Sequence, residues 1–206
     1  MTMSEGQRRH RSDGERTHAS ILRAAAALAT TEGLDRLSIG GLAEHIGISK
    51  SGLFSHFRSK EALQLATIDI AWEMFDAAVT TPAREAAPGC ERLLELVDGY
   101  LRHLEDRVFP GGCFFAATSA ELHMRPSSIT RRLDDFYAAW DGQLTDNLTV
   151  ARANGDLPAD TDIAQVAYEI GSHLLHAHLA YMPVGDRAVL ERSATAIRRL
   201  LGVPVG

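Results

Sequence analysis

Apolar residues recur along this chain at intervals of three and four, and no segment alternates with the two-residue period of a strand. In "ERTHASILRAAAALATTEGL", Ile21, Leu22, Ala25, Leu28 and Ala29 share one helical face, with Thr17 as N-cap and Gly33 past the end. In "LSIGGLAEHIG", Ser38 caps a helix whose Ile39, Leu42, Ala43 and Ile46 fall at i, i+3, i+4 and i+7, and Gly47 stops it. Ser49 caps a second short helix over 50–57, with Leu53 and Phe57 spaced i, i+4. Ser59 caps a longer one running from Lys60 towards Thr80. Further helices are predicted at 90–106, 112–123, 127–153, 161–182 and 187–201, with Asp160 and Asp186 as N-caps of the last two. About nine helices and no sheet make an all-α chain.

The segments 38–46 and 50–57, joined by a tight turn containing Gly47, form a helix-turn-helix. In that motif the second helix lies in the DNA major groove with its N-terminal residues at base edges. Leu53 and Phe57 can pack inward on Leu42 and Ile46. The outward residues, Ser49, Lys50, Ser51, Gly52, Ser55 and His56, are small or polar enough to enter a groove. Lys50 and Lys60, the only two lysines of the chain, stand where they can neutralise phosphates on either side.

Charge adds to this reading. The chain carries a net −6, yet residues 1–60 hold nine Lys/Arg against six Asp/Glu, and residues 61–206 hold twelve against twenty-one. A basic end on an acidic chain suits a nucleic-acid-facing segment.

The stretch "SIGGLAEHIGISKSGLFSHFRSKEAL" resembles the helix-turn-helix of the TetR family of transcriptional regulators, and the likeness extends over residues 15–75. It implies an N-terminal three-helix DNA-binding domain at 15–75 (motif 38–57), behind a disordered basic arm at 1–14. A helical ligand-binding and dimerisation domain would follow at 76–206. Matched position by position, the family's DNA contacts fall on Ser38, Ser49, Lys50, Ser51, Gly52, Phe54, His56 and Lys60, with Ser55 on the same face. Phe54 stands where the family usually has a tyrosine, Gly52 where Thr or Ala is common, and Ser55 where His or Tyr is frequent. The implied function is a homodimeric repressor that a small apolar or aromatic ligand releases from a palindromic operator.

In the acidic remainder, Ile163, Val166, Ala167, Ile170, Leu174 and Tyr181 form one apolar stripe on helix 161–182, and Tyr168, Leu175, Leu179 and Met182 form another. A helix apolar on two sides must be covered on two sides. The second cover would be helix 187–201 and the same pair from a second subunit, giving a two-fold four-helix bundle. Candidates for lining a ligand pocket are Trp72, Phe75, Phe109, Phe114, Phe115, Met124, Phe136 and Trp140. "FPGGCFFAAT", with Gly111–Gly112 before a dense apolar helix start, is the place for a hinge between pocket and DNA-binding unit.

The alternative is an all-α metal-binding protein or enzyme using Glu169, His173 and His176, spaced i, i+4, i+7. No nucleophile–base signature or phosphate loop accompanies them, so neither enzyme activity nor a cofactor is expected. Cys90 and Cys113 form no CxxC. With no apolar run of about 18 residues and a polar N-terminus, the expected compartment is the cytoplasm.

Overall fold

The structure, a computed structural model, describes residues 5–119 and 127–204. Its elements are α1 (Glu5–Glu32), α2 (Ile39–Ile46), α3 (Lys50–Phe54), α4 (Lys60–Phe75), a π-turn (Asp76–Thr80), α5 (Thr81–Ala83), α6 (Cys90–Glu105), α7 (Phe114–Ser119), α8 (Ser128–Asn154), α9 (Ile163–Val184) and α10 (Arg187–Leu200). Because α4, the π-turn and α5 follow without a break, the described residues form nine continuous helices and no strand. No helix among them is long and apolar enough to cross a membrane.

Local chemistry sets most helix starts. The Ser38, Ser49 and Ser59 hydroxyls accept from the N–H groups of Gly41, Gly52 and Ala62, each satisfying a donor the helix leaves unpaired. Gly47 ends α2 at φ 69°, a left-handed conformation glycine adopts without steric cost. Two expected caps are corrected. α1 begins at Glu5, so Thr17 lies inside it, and the arm expected to be disordered over 1–14 is helical backbone from Glu5 onward. The run before Thr17 holds no proline, so the helix continues through it in spite of Gly6 and Gly14. The cap of α9 is Asp162, whose carboxylate accepts from the Gln165 N–H. Asp160 falls in a turn closed by Thr161 N–H donating to the Pro158 carbonyl.

α1 to α3 close over a small core of Ile21, Leu22, Ala25, Leu42, Leu53 and Phe57, all buried. α4 packs on α1, and Gln64 reaches across to donate to the Leu34 carbonyl at 2.7 Å. The α4 rod then passes into the larger helical domain, where α8 docks on it through Arg132. The Arg132 guanidinium donates to Asp69 at 2.6 Å and lies 4.5 Å over the Trp72 ring. In the π-turn, Val79 comes so close to α6 that a β-carbon on Gly99 would meet its Cα at 3.4 Å. α9 and α10 pack as an antiparallel pair on α6 and α8, with Arg198 bonded to Asp98 at 2.7 Å.

The centre of this domain is aromatic. Phe75, 2 % exposed, meets the rings of Phe115, Phe136 and Trp140 edge-on at 6.2, 5.1 and 5.3 Å. Removing such a side chain costs about 3–5 kcal/mol. His103, also 2 % exposed, lies edge-on between Phe75 and Phe109, and neither of its nitrogens has a hydrogen-bond partner among the described residues.

Burial lowers the His103 pKa to about 4; nearby Asp106 opposes the shift and His178 adds to it. The unfolded chain takes up this proton near pH 6.5 and the folded one only near 4. The favourable contribution of neutral His103 is therefore complete above 6.5, falls as pH drops through that value, and levels off below about 4. The loss amounts to about 3 kcal/mol. Between pH 7 and 4.5, thermal unfolding of His103→Leu should show a smaller drop in Tm than the wild-type chain. Equal slopes would mean that another group carries the acid sensitivity; His18 and His178, both also lowered by burial, are the others in this class.

Candidate nucleic-acid interface and effector cavity

α2 and α3 meet as a helix-turn-helix, with Leu53 buried against α2 and Ile48 half-exposed in the turn. α3 is shorter than the expected 50–57. The Ser55 hydroxyl donates to the Gly52 carbonyl, and the chain leaves the helix there as Phe57 turns back onto α1. Phe57 stacks on His18 at 5.2 Å, and His56 stands 5.7 Å from the same imidazole.

Ser49, Lys50, Ser51, Gly52, Phe54, Ser55, His56 and Lys60 are all exposed, and Ser38 is half-buried at its cap. Phe54, 48 % exposed, is a large aromatic ring that no core needs. The Lys50 ammonium lies 5.9 Å from its centroid and extends back over Gly40 at the start of α2. Lys60 is engaged within its own domain: its ammonium donates to the Asp35 carbonyl and lies 3.7 Å from the Asp35 carboxylate. The face thus carries two amines, four hydroxyls and one aromatic ring without a buried role.

In the second domain a cavity of about 230 Å³ lies between α4, α6, α7, α8 and α9. Of the expected lining residues, Phe75, Phe115, Phe136 and Trp140 form its walls. Trp72 belongs to a smaller neighbouring pocket that also holds Asp76 and Arg84. Phe109 and Phe114 are corrected to core: both are buried and neither reaches the cavity. Met124 lies outside the described residues.

Tyr100, Cys113, Tyr137, Gly171, Leu174 and Leu175 complete the lining and were not expected. Nothing in residue type or spacing singles out Tyr100 or Cys113 in the sequence. The one available signal was Gly171, a glycine inside a long helix, where a β-carbon would meet nothing within 4 Å. Tyr100 and Cys113 stand close to each other in the wall, and burial raises both pKa values, which keeps both groups protonated. Tyr137 donates to the Phe115 carbonyl at 2.9 Å.

Two sequence profiles match this chain. "Bacterial regulatory proteins, tetR family" covers residues 21–67, and "Tetracyclin repressor-like, C-terminal domain" covers residues 89–197, more than half of the sequence. The chain belongs to the TetR family. A curated TetR-family relative, the HTH-type transcriptional regulator TcmR of Streptomyces glaucescens, is 27% identical over 70% of this chain. The match spans 64% of that protein's own length. A TetR regulator from Chloroflexus aurantiacus superposes with a TM-score of 0.84 at 21% identity, over 93% of this chain and 96% of that one. AibR, solved with isovaleryl coenzyme A and operator DNA, superposes at 0.74 with 19% identity, over 91% and 99% of the two chains. In TetR-family terms, α1 to α4 hold the helix-turn-helix of the N-terminal profile and α6 to α10 fall in the C-terminal domain.

The metal alternative finds no geometry. Among the described residues no three His, Cys, Asp or Glu side chains converge, and the Glu169 carboxylate accepts from Gln165 at 2.7 Å.

One turn joins the two units of this TetR-family chain. The Gly111 N–H donates to the Thr30 hydroxyl near the end of α1, and a β-carbon on Gly111 would overlap the Thr30 carbonyl. On the other side, a β-carbon on Gly112 would stand 2.7 Å from the His178 ring of α9. The next residue, Cys113, is already cavity wall. Gly111→Ala should therefore push the turn off α1, costing about 1–3 kcal/mol and several degrees of Tm. Gly142→Ala, where a β-carbon meets nothing, serves as the control. Equal Tm values for the two variants would show that the turn does not hold this contact.

Proposed function

We propose that this chain is a homodimeric, cytoplasmic transcriptional repressor that reads a palindromic operator with α3 of each subunit and is released by a small apolar or aromatic effector in the α4–α9 cavity. The observation that carries the DNA reading is the outward face of α3. Lys50, Ser51, Gly52 and Phe54 on α3, with Ser49 before it and Ser55 and His56 after it, are all exposed, and the other side is anchored by Leu53. In this reading Lys50 meets phosphate or a base edge, while Ser38 and Lys60 at helix starts hold the DNA backbone. Phe54 packs against sugar or a thymine methyl. Lys60 would exchange its Asp35 contacts for a phosphate.

Support for the dimer comes from α9. Its inward stripe is covered, whereas Tyr168, Leu175 and Leu179 are 71 %, 43 % and 59 % exposed on the other side. The second copy's α9 and α10 are the cover this reading supplies. Two recognition helices in such a dimer meet half-sites about 34–36 Å apart, one turn of DNA. AibR, solved with an effector and operator DNA together, supports two ligands on one fold. Binding of the two is reciprocal: whatever factor the effector takes from operator affinity, the operator takes from effector affinity.

Selection from random DNA by the purified protein should enrich a palindrome with half-sites centred about 10–10.5 base pairs apart. A folded dimer that enriches nothing overturns the reading. On the enriched site, Lys50→Ala should weaken binding and reduce the log–log salt slope by about 1, with Tm and oligomeric state unchanged. Unchanged affinity at matched salt removes α3 from the interface.

A further inference from the structure

We propose that the cavity takes a neutral, planar aromatic molecule of about two fused rings, bearing one hydroxyl or carbonyl oxygen that is anchored at the Tyr100 hydroxyl. This rests on the reading of the cavity as the effector site and gives that site its chemistry.

Size sets the first limit. A dry apolar cavity of about 150 Å³ accepts benzene, and the 230 Å³ here leaves room beyond a single ring. Shape sets the second. Phe115 and Phe136 lie parallel in the lining, with 4° between their planes. Tyr100 and Trp140, inclined to each other by 33°, line the cavity from α6 and α8, and Phe75 from the end of α4. Flat rings offer faces and edges to a flat guest, and their electron-rich faces are unfavourable to an anion.

Charge is the strongest constraint. Among the described residues no Asp, Glu, Lys, Arg or His lines the cavity; Asp76 and Arg84 lie in the neighbouring pocket, which shares Phe136 and Trp140 with it. A carboxylate or phosphate would enter without a counter-charge, losing its hydration for nothing in return. The polar groups of the described lining are the Tyr100 and Tyr137 hydroxyls and the Cys113 thiol; Tyr137 is committed to the Phe115 carbonyl, while Tyr100 and Cys113 are 6 % and 2 % exposed and close to each other. Sulfur is a weak acceptor, so the Tyr100 hydroxyl gains by donating to a ligand oxygen. Burial holds that hydroxyl protonated, ready to donate to a carbonyl or to either lone pair of a phenol.

Three probes of equal ring size separate the terms: naphthalene, 2-naphthol and 2-naphthoate, each titrated into the full-length protein at pH 7 with calorimetry or Trp140 fluorescence as readout. 2-Naphthol should bind about tenfold more tightly than naphthalene, the yield of one well-made hydrogen bond, and 2-naphthoate more weakly than either. Tyr100→Phe should abolish the preference for naphthol while leaving naphthalene unchanged. Gly171→Leu, which places a side chain where a β-carbon meets nothing, should weaken naphthalene and naphthol alike and so locate them in the cavity. The proposal is overturned if none of the probes binds, if naphthoate matches naphthol, or if Tyr100→Phe keeps the naphthol preference. The selected operator then tests the effector reading separately. Naphthol that binds with the expected ranking and leaves operator affinity unchanged supports the ligand chemistry and rejects the cavity as the regulatory site.

Discussion

The contact between Gly111 and Thr30 ties the two halves of the molecule together. A backbone N–H of the α6–α7 turn meets a hydroxyl near the end of α1 at 3.0 Å, and the Thr30 carbonyl sits where any β-carbon would be. Such proximity requires glycine, and it gives the turn no slack towards α1. On its far side Gly112 abuts His178 in the same way, so the turn is wedged between a DNA-domain helix and α9. Cys113, Phe115 and Ala116, which follow directly, are cavity wall. A guest that displaces this wall displaces a segment already in contact with α1. In the proposed reading, that is the physical route by which effector and operator would oppose each other.

α4 is the second connection, and it works through stiffness where the turn works through proximity. Its first half is bound through Gln64 to the turn after α1, and its second half to α8 through Asp69 and Arg132; its last residue, Phe75, is the centre of the aromatic cluster. Phe75 belongs at once to the core and to the cavity lining. Rigid rings packed edge to face allow few intermediate arrangements, so filling the cavity is expected to move whole elements and not single side chains.

Legibility from sequence followed the range of the interaction. The helix-turn-helix was readable because its determinants are local: Ser38, Gly47, Ser49 and Ser59 act within four residues of themselves. The same locality failed at Thr17 and Asp160, where an acceptable cap was passed over because the backbone on its N-terminal side had its own reasons to continue or to turn. The cavity was half-legible. Residue type pointed to Phe75, Phe115, Phe136 and Trp140, but equally to Phe109 and Phe114, since composition carries no information on which way a ring points in three dimensions. Tyr100 and Cys113 became visible only when α6 and the start of α7 were brought side by side.

The π-turn at Asp76–Thr80 lets one rod serve two sets of neighbours. A π-turn is a helix holding one residue more than its hydrogen-bond ladder needs, and it resets the angular phase of everything after it. Up to Phe75 the rod is in register with α1 and α8; beyond it, Val79 is in register with α6. The two registers meet at that one wide turn, so Val79 can be set against α6 without rotating the stretch of α4 that lies on α1 and α8. A straight helix would have to choose between these neighbours; the bulge lets one rod satisfy both.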